Sequence, residues 1–380
     1  MERIHVEVPG EQPQDREYMK QALALAENGH GWVNPNPMVG AVLVKDGRII
    51  GEGYHTRYGQ LHAEREAFKN AAERGEETAG ADLYVTLEPC CHTGKQPPCT
   101  EAVLASGVKR VIVGCTDPNP VVAGRGIRLL REKGLEVVAG VLRGECERQN
   151  EVFFHFMRTK LPFTVLKYAM TLDGKTATVS GKSQWITGEA ARKRVHEDRG
   201  RYMAILTGVS TVLADNPQLT CRIPGGKNPI RVIADTKLRT PLSSTVVQTA
   251  RETPTWIVTA VSDAGRKKAY EDAGCRVLSV PAKEGELDLK AMMQRLGEEK
   301  VDSVMVESGG TLAWSFLKAG LVNRVQAYIA SKIFGGAGAP TPVRGTGVDA
   351  PPEAFLLKKP EAVWLGEDLL LEYEVSGQDA

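Results

Sequence analysis

The sequence contains no apolar run near the ~18 residues that a membrane-spanning helix requires. Its opening segment, Met1-Glu2-Arg3-Ile4-His5-Val6-Glu7, has no basic stretch leading into an apolar core, so no export signal is expected and the expected compartment is cytoplasmic. Charge imbalance is almost lacking: Lys+Arg 48 against Asp+Glu 47 leaves +1. Up to residue 150 the count is 18 basic and 21 acidic, a balance of −3, and the remainder holds 30 and 26, or +4. Neither half has the footprint of a protein gripping long nucleic acid, although a local pocket for one or two phosphates is compatible with it. Cysteine is sparse and odd in number, seven in all, which in a reducing compartment argues against a disulfide framework. Internal repeats and low-complexity tracts are also lacking. What is present is ordinary globular composition, 42% hydrophobic and 25% charged, which rules out a disordered or fibrous chain.

At ~150 residues per domain, 380 residues suggest two domains. Residues 1–14 read as a lead-in without periodicity. A helix is expected from Asp15 to Gly29, capped at each end, and then a hairpin of 39–45 and 48–53 around Asp46-Gly47. Helix 62–74, strand 82–87, helix 99–106, strand 109–115, helix 124–133 and strand 135–141 follow. A hairpin and then strand–helix alternation implies a three-layer α/β/α domain with a mixed sheet over 15–150. A helical, charged stretch ends at Lys160-Leu161-Pro162, and 151–161 is expected to link the two domains. Alternation resumes over 162–380, with strands at 163–170, 202–208, 230–235, 255–260, 276–280 and 303–307. Helices are expected at 188–199, 263–273, 287–297 and 311–319, and closing strands near 324–330 and 371–376. This is a second α/β domain.

Three of the seven cysteines fall within ten residues, in Pro89-Cys90-Cys91-His92-Thr93-Gly94-Lys95-Gln96-Pro97-Pro98-Cys99. Upstream, His62-Ala63-Glu64 opens a helix; His5-Val6-Glu7 has the same spacing but no helix to present it. One imidazole and two thiolates, His62, Cys90 and Cys99, supply three of the four tetrahedral positions of zinc and leave one open, as a catalytic zinc needs. Glu64 lies two residues from a ligand, where it can move protons without binding metal. That division of labour describes the zinc nucleobase deaminases. The plain alternative is a structural zinc knot, for which Cys91 and His92 are candidate fourth ligands.

Eight residues separate Cys90 from Cys99, where the generic deaminase signature has two. With Gly94-Lys95-x-Pro97-Pro98-Cys99, this resembles the deaminase domain of the bifunctional riboflavin-biosynthesis deaminase/reductase. Asn34-Pro35-Asn36-Pro37, Gly51-Glu52-Gly53-Tyr54-His55 and Asp117-Pro118-Asn119-Pro120 with Ala123-Gly124-Arg125-Gly126 resemble it as well. The resemblance implies a cytidine-deaminase-like fold and a pyrimidine substrate carrying a phosphoribosylamino group, with Asn36, His55, Lys95 and Asn119 lining its pocket. Lys95 suits a phosphate. Asn36 and Asn119 equally suit simple Asn-Pro turns. Cys91 stands where the family pattern most often shows serine, so two adjacent thiols are candidates for one ligand position; Cys90 matches the family's ligand.

The second half lacks Gly-x-Gly-x-x-Gly between a strand and a helix, so a standard dinucleotide fold is not supported. Gly335-Gly336-Ala337-Gly338 leads to Pro340 and not into a helix. Glu307-Ser308-Gly309-Gly310-Thr311-Leu312 does run from a strand through glycines into a helix, whose first N–H groups can hold a diphosphate. Together with the segments beginning at Lys167, Gly181 and Thr211, it resembles the reductase domain of the same enzyme, which implies a dihydrofolate-reductase-like α/β fold and NADPH. The resemblance places Ser183, Arg199, Leu219, Arg222 and Glu307 at substrate positions. It places Met170, Trp185, Thr211, Asp215, Gly309, Gly310, Thr311 and Leu312 at cofactor positions, with Lys167 and Asp173 as further polar candidates. Arg199 and Arg222 are expected to clamp phosphate, since a guanidinium fork matches it bidentately. Hydride transfer belongs to the cofactor.

The expectation is a bifunctional enzyme of riboflavin synthesis: zinc-dependent deamination, then NADPH-dependent reduction of a ribosyl to a ribityl chain. Its expected partners are a phosphorylated small molecule and further copies of itself as a homo-oligomer, with no nucleic acid and no membrane. The alternatives are a nucleic-acid base-modifying zinc deaminase with a C-terminal binding domain and a zinc-stabilised structural protein. The first is disfavoured by charge, and the second has no account of Glu64.

Overall fold

The computed structural model describes residues 8–93, 96–119 and 122–376. The chain divides into two compact units, one up to Thr159 and one from Lys160. No helix among the described residues is long and apolar enough to cross a membrane.

The first unit runs α1 (Asp15–Ala26), β1 (Gly40–Lys45), β2 (Arg48–Tyr54), α2 (Ala63–Glu73), β3 (Asp82–Leu87), α3 (Cys99–Ala105), β4 (Arg110–Cys115), α4 (Arg125–Glu132), β5 (Glu136–Ala139), α5 (Arg143–Gln149) and α6 (Glu151–Thr159). Glu151–Thr159, in the stretch expected to connect the units, is therefore helical. The strand order is β2-β1-β3-β4-β5, antiparallel through β3 and parallel beyond it. Alternation along the strands sends Ala41, Leu43, Leu83, Val85, Val111 and Val113 to the face covered by α2, α3 and α4. Their neighbours Val42, Val44, Tyr84 and Ile112 face α1, α5 and α6. This is the expected three-layer architecture with a mixed sheet. The layers approach closely where side chains are smallest: a Cβ on Gly40 would lie 1.9 Å from the Ala22 carbonyl oxygen of α1.

The second unit runs β6 (Phe163–Thr171), α7 (Glu189–Arg201), β7 (Ala204–Gly208), α8 (Val209–Asp215), β8 (Ile230–Ala234), α9 (Thr245–Gln248), β9 (Thr255–Thr259), α10 (Ala264–Asp272) and β10 (Arg276–Ser279). It continues through β11 (Ala282–Lys283), β12 (Glu286–Leu287), α11 (Leu289–Glu298), β13 (Ser303–Val306), α12 (Gly310–Lys318), β14 (Arg324–Ala330), β15 (Leu357–Leu365) and β16 (Asp368–Val375). Nine strands form one sheet in the order β10-β9-β8-β7-β13-β6-β14-β16-β15, parallel except for β16 and β15. One face packs on α11 and α12 through Met292, Met293, Leu296 and Phe316. The other packs on α8, α9 and α10 through Val212, Val246, Val247 and Tyr270. Both α8 and α9 are short, and sequence periodicity does not reveal them. Strand β15 also escapes that reading, because it lies at the sheet edge with no buried residue and contains Lys358-Lys359-Pro360. Lysine and proline are typical of edge strands that resist further pairing.

At the start of β4 the Arg110 guanidinium, 4% exposed as a residue, meets three carboxylates: Asp15 of α1 at 3.1 Å, Asp82 of β3 at 3.1 Å and Glu136 of β5 at 3.0 Å. Burial opposes its charge, but these partners outweigh that and hold the guanidinium firmly protonated. Tyr84 Oη donates to the remaining Asp15 oxygen at 2.8 Å. Arg110→Ala should destabilise the first unit by about 3–5 kcal/mol, since it strands the Asp15 charge in the interior. Urea unfolding followed in the first unit checks this; a loss under 1 kcal/mol would show the network to be marginal.

Candidate functional site

The carboxyl end of β3 and the starts of α2 and α3 converge on one cluster. His62 is the residue before α2, Cys90 lies three residues beyond β3, and Cys99 opens α3. His62 Nδ1 is 3.6 Å from Cys90 Sγ and 3.3 Å from Cys99 Sγ, and the three ligand atoms all lie within 4.8 Å of one another. Zinc bonds of ~2.3 Å to sulfur and ~2.0 Å to nitrogen at the tetrahedral angle place S and N ~3.5 Å apart, so the spacing fits zinc. The electrostatics fit as well. The Cys99 thiol donates to Cys90, and this, against burial and with help from His62, pulls Cys90 down to about 4. The thiolate so formed, together with burial, pushes Cys99 up. A dication removes that conflict by letting both sulfurs ionise. Cys91 is not among the clustered ligands found in the described residues. It is half-buried, and its thiol is raised by burial first and then by the nearby Glu88 charge.

Glu64 stands in the first turn of α2 and is 3% exposed. Burial first, then the Cys90 charge, raises its carboxyl above the usual range. A carboxyl that keeps its proton closer to neutral pH is suited to give and take it. His55, 3% exposed, sits edge-on to His62 with ring centroids 5.4 Å apart. Its Nδ1–H donates to Leu61 O at 2.9 Å, and its Nε2 lies 3.1 Å from Asn36 Nδ2. Burial lowers its pKa, which favours this neutral tautomer. Asn36 is thus gathered to the cluster. Asn119 follows β4, and its N–H donates to Asp117 Oδ1 at 2.8 Å. Lys95 lies outside the described residues. One residue that no motif singles out is Asn150, 2% exposed between α5 and α6: its amide exchanges two 2.8 Å bonds with the Met38 backbone, fixing the Asn-Pro loop.

In the second unit, Lys167 of β6, Arg199 of α7 and Glu307 beyond β13 meet. Arg199 Nε and Nη2 donate to the two Glu307 oxygens at 2.7 and 3.0 Å, and Lys167 Nζ to one at 3.3 Å. Burial would raise Glu307, but Arg199 and Lys167 outweigh it and hold the carboxylate ionised. The Arg199 fork expected to clamp phosphate is therefore engaged by Glu307, and Nη1 reaches Thr220 O at 3.1 Å. Arg222 is exposed. Its N–H donates to His196 Nδ1 at 3.3 Å, and His196 is lowered to about 4 by burial and then by Arg199 and Arg222. His196 escapes sequence reading, although its spacing of three from Arg199 on one helix is a signal in retrospect. Leu219 is buried at φ +55°, one residue before Thr220.

Of the cofactor candidates, Trp185 is 60% exposed with the Arg192 guanidinium 4.7 Å above its ring. Gly309 caps α12, and Gly310, Thr311 and Leu312 form its first turn. Ser183, Met170 and Thr211 are half-buried and Asp215 is exposed. Asp173 accepts from Thr171 Oγ1 at 2.6 Å and from the N–H groups of Phe334 and Gly335 at 3.1 and 2.7 Å. These bonds, Thr171 first, bring it to about 2 against burial. It anchors the Gly335-Gly336 turn.

Residues 12–115 match the family model for the cytidine and deoxycytidylate deaminase zinc-binding region, and residues 162–371 match that for the RibD C-terminal domain. The chain is 49% identical over 361 residues to riboflavin biosynthesis protein RibD of Actinobacillus pleuropneumoniae, covering 95% of each. It superposes on the structure of Acinetobacter baumannii RibD with TM-score 0.85 at 35% identity, covering 96% of this chain and 99% of that one. A Thermotoga maritima structure described as a diaminohydroxyphosphoribosylaminopyrimidine deaminase/5-amino-6-(5-phosphoribosylamino)uracil reductase gives TM-score 0.83 at 40% identity, covering 95% and 99%. With both domain families matched in order along one chain, the protein belongs to the riboflavin biosynthesis protein RibD family.

Proposed function

We propose that the first unit deaminates a diaminohydroxypyrimidine bearing a phosphoribosylamino group, and that the second reduces the ribosyl chain of the product to ribityl with NADPH. The observation that carries this is the His62, Cys90 and Cys99 cluster with Glu64 buried beside it, in a chain whose second unit matches the RibD C-terminal domain. When bound, zinc supplies a Lewis acid that makes hydroxide available near neutral pH. Glu64 then carries the protons that must leave the nucleophile and reach the departing ammonia. His55 holds Asn36 toward the ring, and Lys95 takes the phosphate. In the second unit NADPH supplies the hydride, and the chain's residues align the two carbons and exclude water. Gly309–Leu312 receives the diphosphate, Met170, Trp185, Thr211 and Asp215 line the cofactor, and Ser183, Leu219, Arg222 and Glu307 hold the substrate. Lys167 and Arg199 keep Glu307 in place. Ammonia release and NADPH oxidation by the full chain, given the pyrimidine and then its deaminated product, test the proposal; neither signal with either compound would overturn it.

The same reading includes a homo-oligomer and no nucleic-acid partner. Support for the first is the apolar surface along β15, where Leu357 is 43% and Trp364 71% exposed. Support for the second is the near-neutral charge.

Glu64→Gln should lower ammonia release by about a hundredfold to ten-thousandfold, the usual worth of a general acid/base. Zinc should stay at one per chain by elemental analysis, and NADPH oxidation should persist. Loss of metal would make Glu64 a ligand instead.

Cys91→Ser should keep its zinc and most deaminase activity, because Cys91 stands apart from the clustered ligands. Cys90→Ser and Cys99→Ser should lose zinc or bind it far more weakly, a hydroxyl being a poor ligand beside thiolate. Metal content of the three variants decides which of the adjacent thiols is the ligand.

Arg222→Ala should raise the reductase KM for its phosphorylated substrate roughly tenfold to a hundredfold, from a lost charge-assisted contact of about 1.5–3 kcal/mol, with NADPH affinity unchanged. Arg199→Ala should differ by lowering thermal stability as well, since it leaves the Glu307 charge under-compensated. Equal stability in the two variants would contradict the assignment of the Arg199 fork to Glu307.

A further inference from the structure

We propose that Glu88 is a positioning residue of the deaminase site: its carboxylate holds Asp117 and Gly124, and with them Asn119, against the strand end that carries Cys90. Glu88 is 4% exposed and directly follows β3. Its Oε2 accepts from Asp117 N at 3.2 Å and Gly124 N at 2.9 Å, which lie on either side of Asn119. Its Oε1 accepts from Gly126 N at 2.8 Å and Ile127 N at 3.3 Å, in the first turn of α4. A buried carboxylate is tolerated when its lone pairs are met by donors in this way.

Capping a helix does not by itself call for such an arrangement, since a serine or aspartate at the N-cap would serve. That position is Gly124, at φ +72° and without a side chain, and the oxygen comes from Glu88, the residue after β3. The two oxygens act at different places. One caps α4, and the other reaches outside the helix to Asp117 and Gly124. The joint is closed tightly, because a Cβ on Gly126 would lie 2.2 Å from Pro89 O and 3.2 Å from Glu88 Oε1. Inside the held segment, Asn119 O accepts from Val122 and Ala123 N–H at 2.9 and 2.8 Å, so Asn119 follows where Glu88 puts its neighbours. The metal-ligand segment has independent supports: Glu88 N donates to Cys115 O at 2.9 Å, and Thr100 N to Cys90 O at 3.1 Å. Removing the carboxylate should therefore release Asn119 and leave the metal in place. The inference rests on the reading that Asn119 touches the pyrimidine substrate.

The test is Glu88→Gln in the full chain. The amide keeps the shape but turns an NH2 group toward one pair of N–H donors. KM for the pyrimidine should rise at least tenfold while kcat falls less than threefold. Zinc should remain at one per chain, and reduction by the second unit should be unaffected. Hydrogen exchange of peptides covering 117–127 should speed up, with 82–87 unchanged. Glu88→Asp, which retains the charge but not the reach, should give an intermediate KM. The double variant with Asn119→Ala should be no worse than Asn119→Ala alone. Wild-type ammonia release tests the substrate reading separately, whereas the exchange rates and the ratio of variant to wild type test Glu88. A folded, zinc-loaded Glu88→Gln with wild-type KM and wild-type exchange would overturn the inference, as would zinc loss matched by loss of kcat.

Discussion

A buried guanidinium surrounded by carboxylates sets the frame of the first unit. Arg110 joins α1, β3, β4 and β5 through Asp15, Asp82 and Glu136. Charges in the interior are stable only when all are met, so this knot tolerates few alternative alignments of the strands. It sits where β3 and β4 begin. The opposite ends of those strands are left to place Glu88, Cys90 and Asp117. Alignment and chemistry are thereby separated along the strands by the length of the sheet, and the loops at the reactive end can be shaped without disturbing the register beneath them.

The second unit follows the same division with different chemistry. The parallel strands β7 and β13 deliver their carboxyl ends to Gly208, Glu307 and the start of α12. Ligands of open α/β sheets gather at such ends, where loops meet helix starts. Both units also bury a carboxylate, with opposite electrostatic outcomes. Glu64 is raised by its surroundings, whereas Glu307 is fixed in its charged form by Arg199 and Lys167.

Much of this is readable from residues alone, and the exceptions have physical causes. Strands with one buried face carry a period of two and those buried on both faces read as short apolar runs, so β1 to β9 are visible, while β15 buries nothing and leaves no pattern. The His62, Cys90 and Cys99 cluster is legible because metal chemistry restricts residue type and spacing. Arg199 is visible as a cation, but its engagement with Glu307, 108 residues away, is a fact of folding. Asn150, between two helices, gives no signal, and the spacing of His196 from Arg199 becomes a signal only once the fold shows that both meet the same groups.

The strand order of the second unit bears on how it is made. Strand β6 comes first in its sequence but lies between β13 and β14, whose residues begin at Ser303 and Arg324. A nascent chain must therefore carry β6 unpaired until some 140 later residues have been synthesised, whereas every strand of the first unit's sheet lies before Thr159. At ribosomal speeds of about 5–20 residues per second, that interval is roughly 7–30 s. Phe163, Val165 and Leu166 are exposed meanwhile, an apolar strand awaiting partners and a natural target for chaperones.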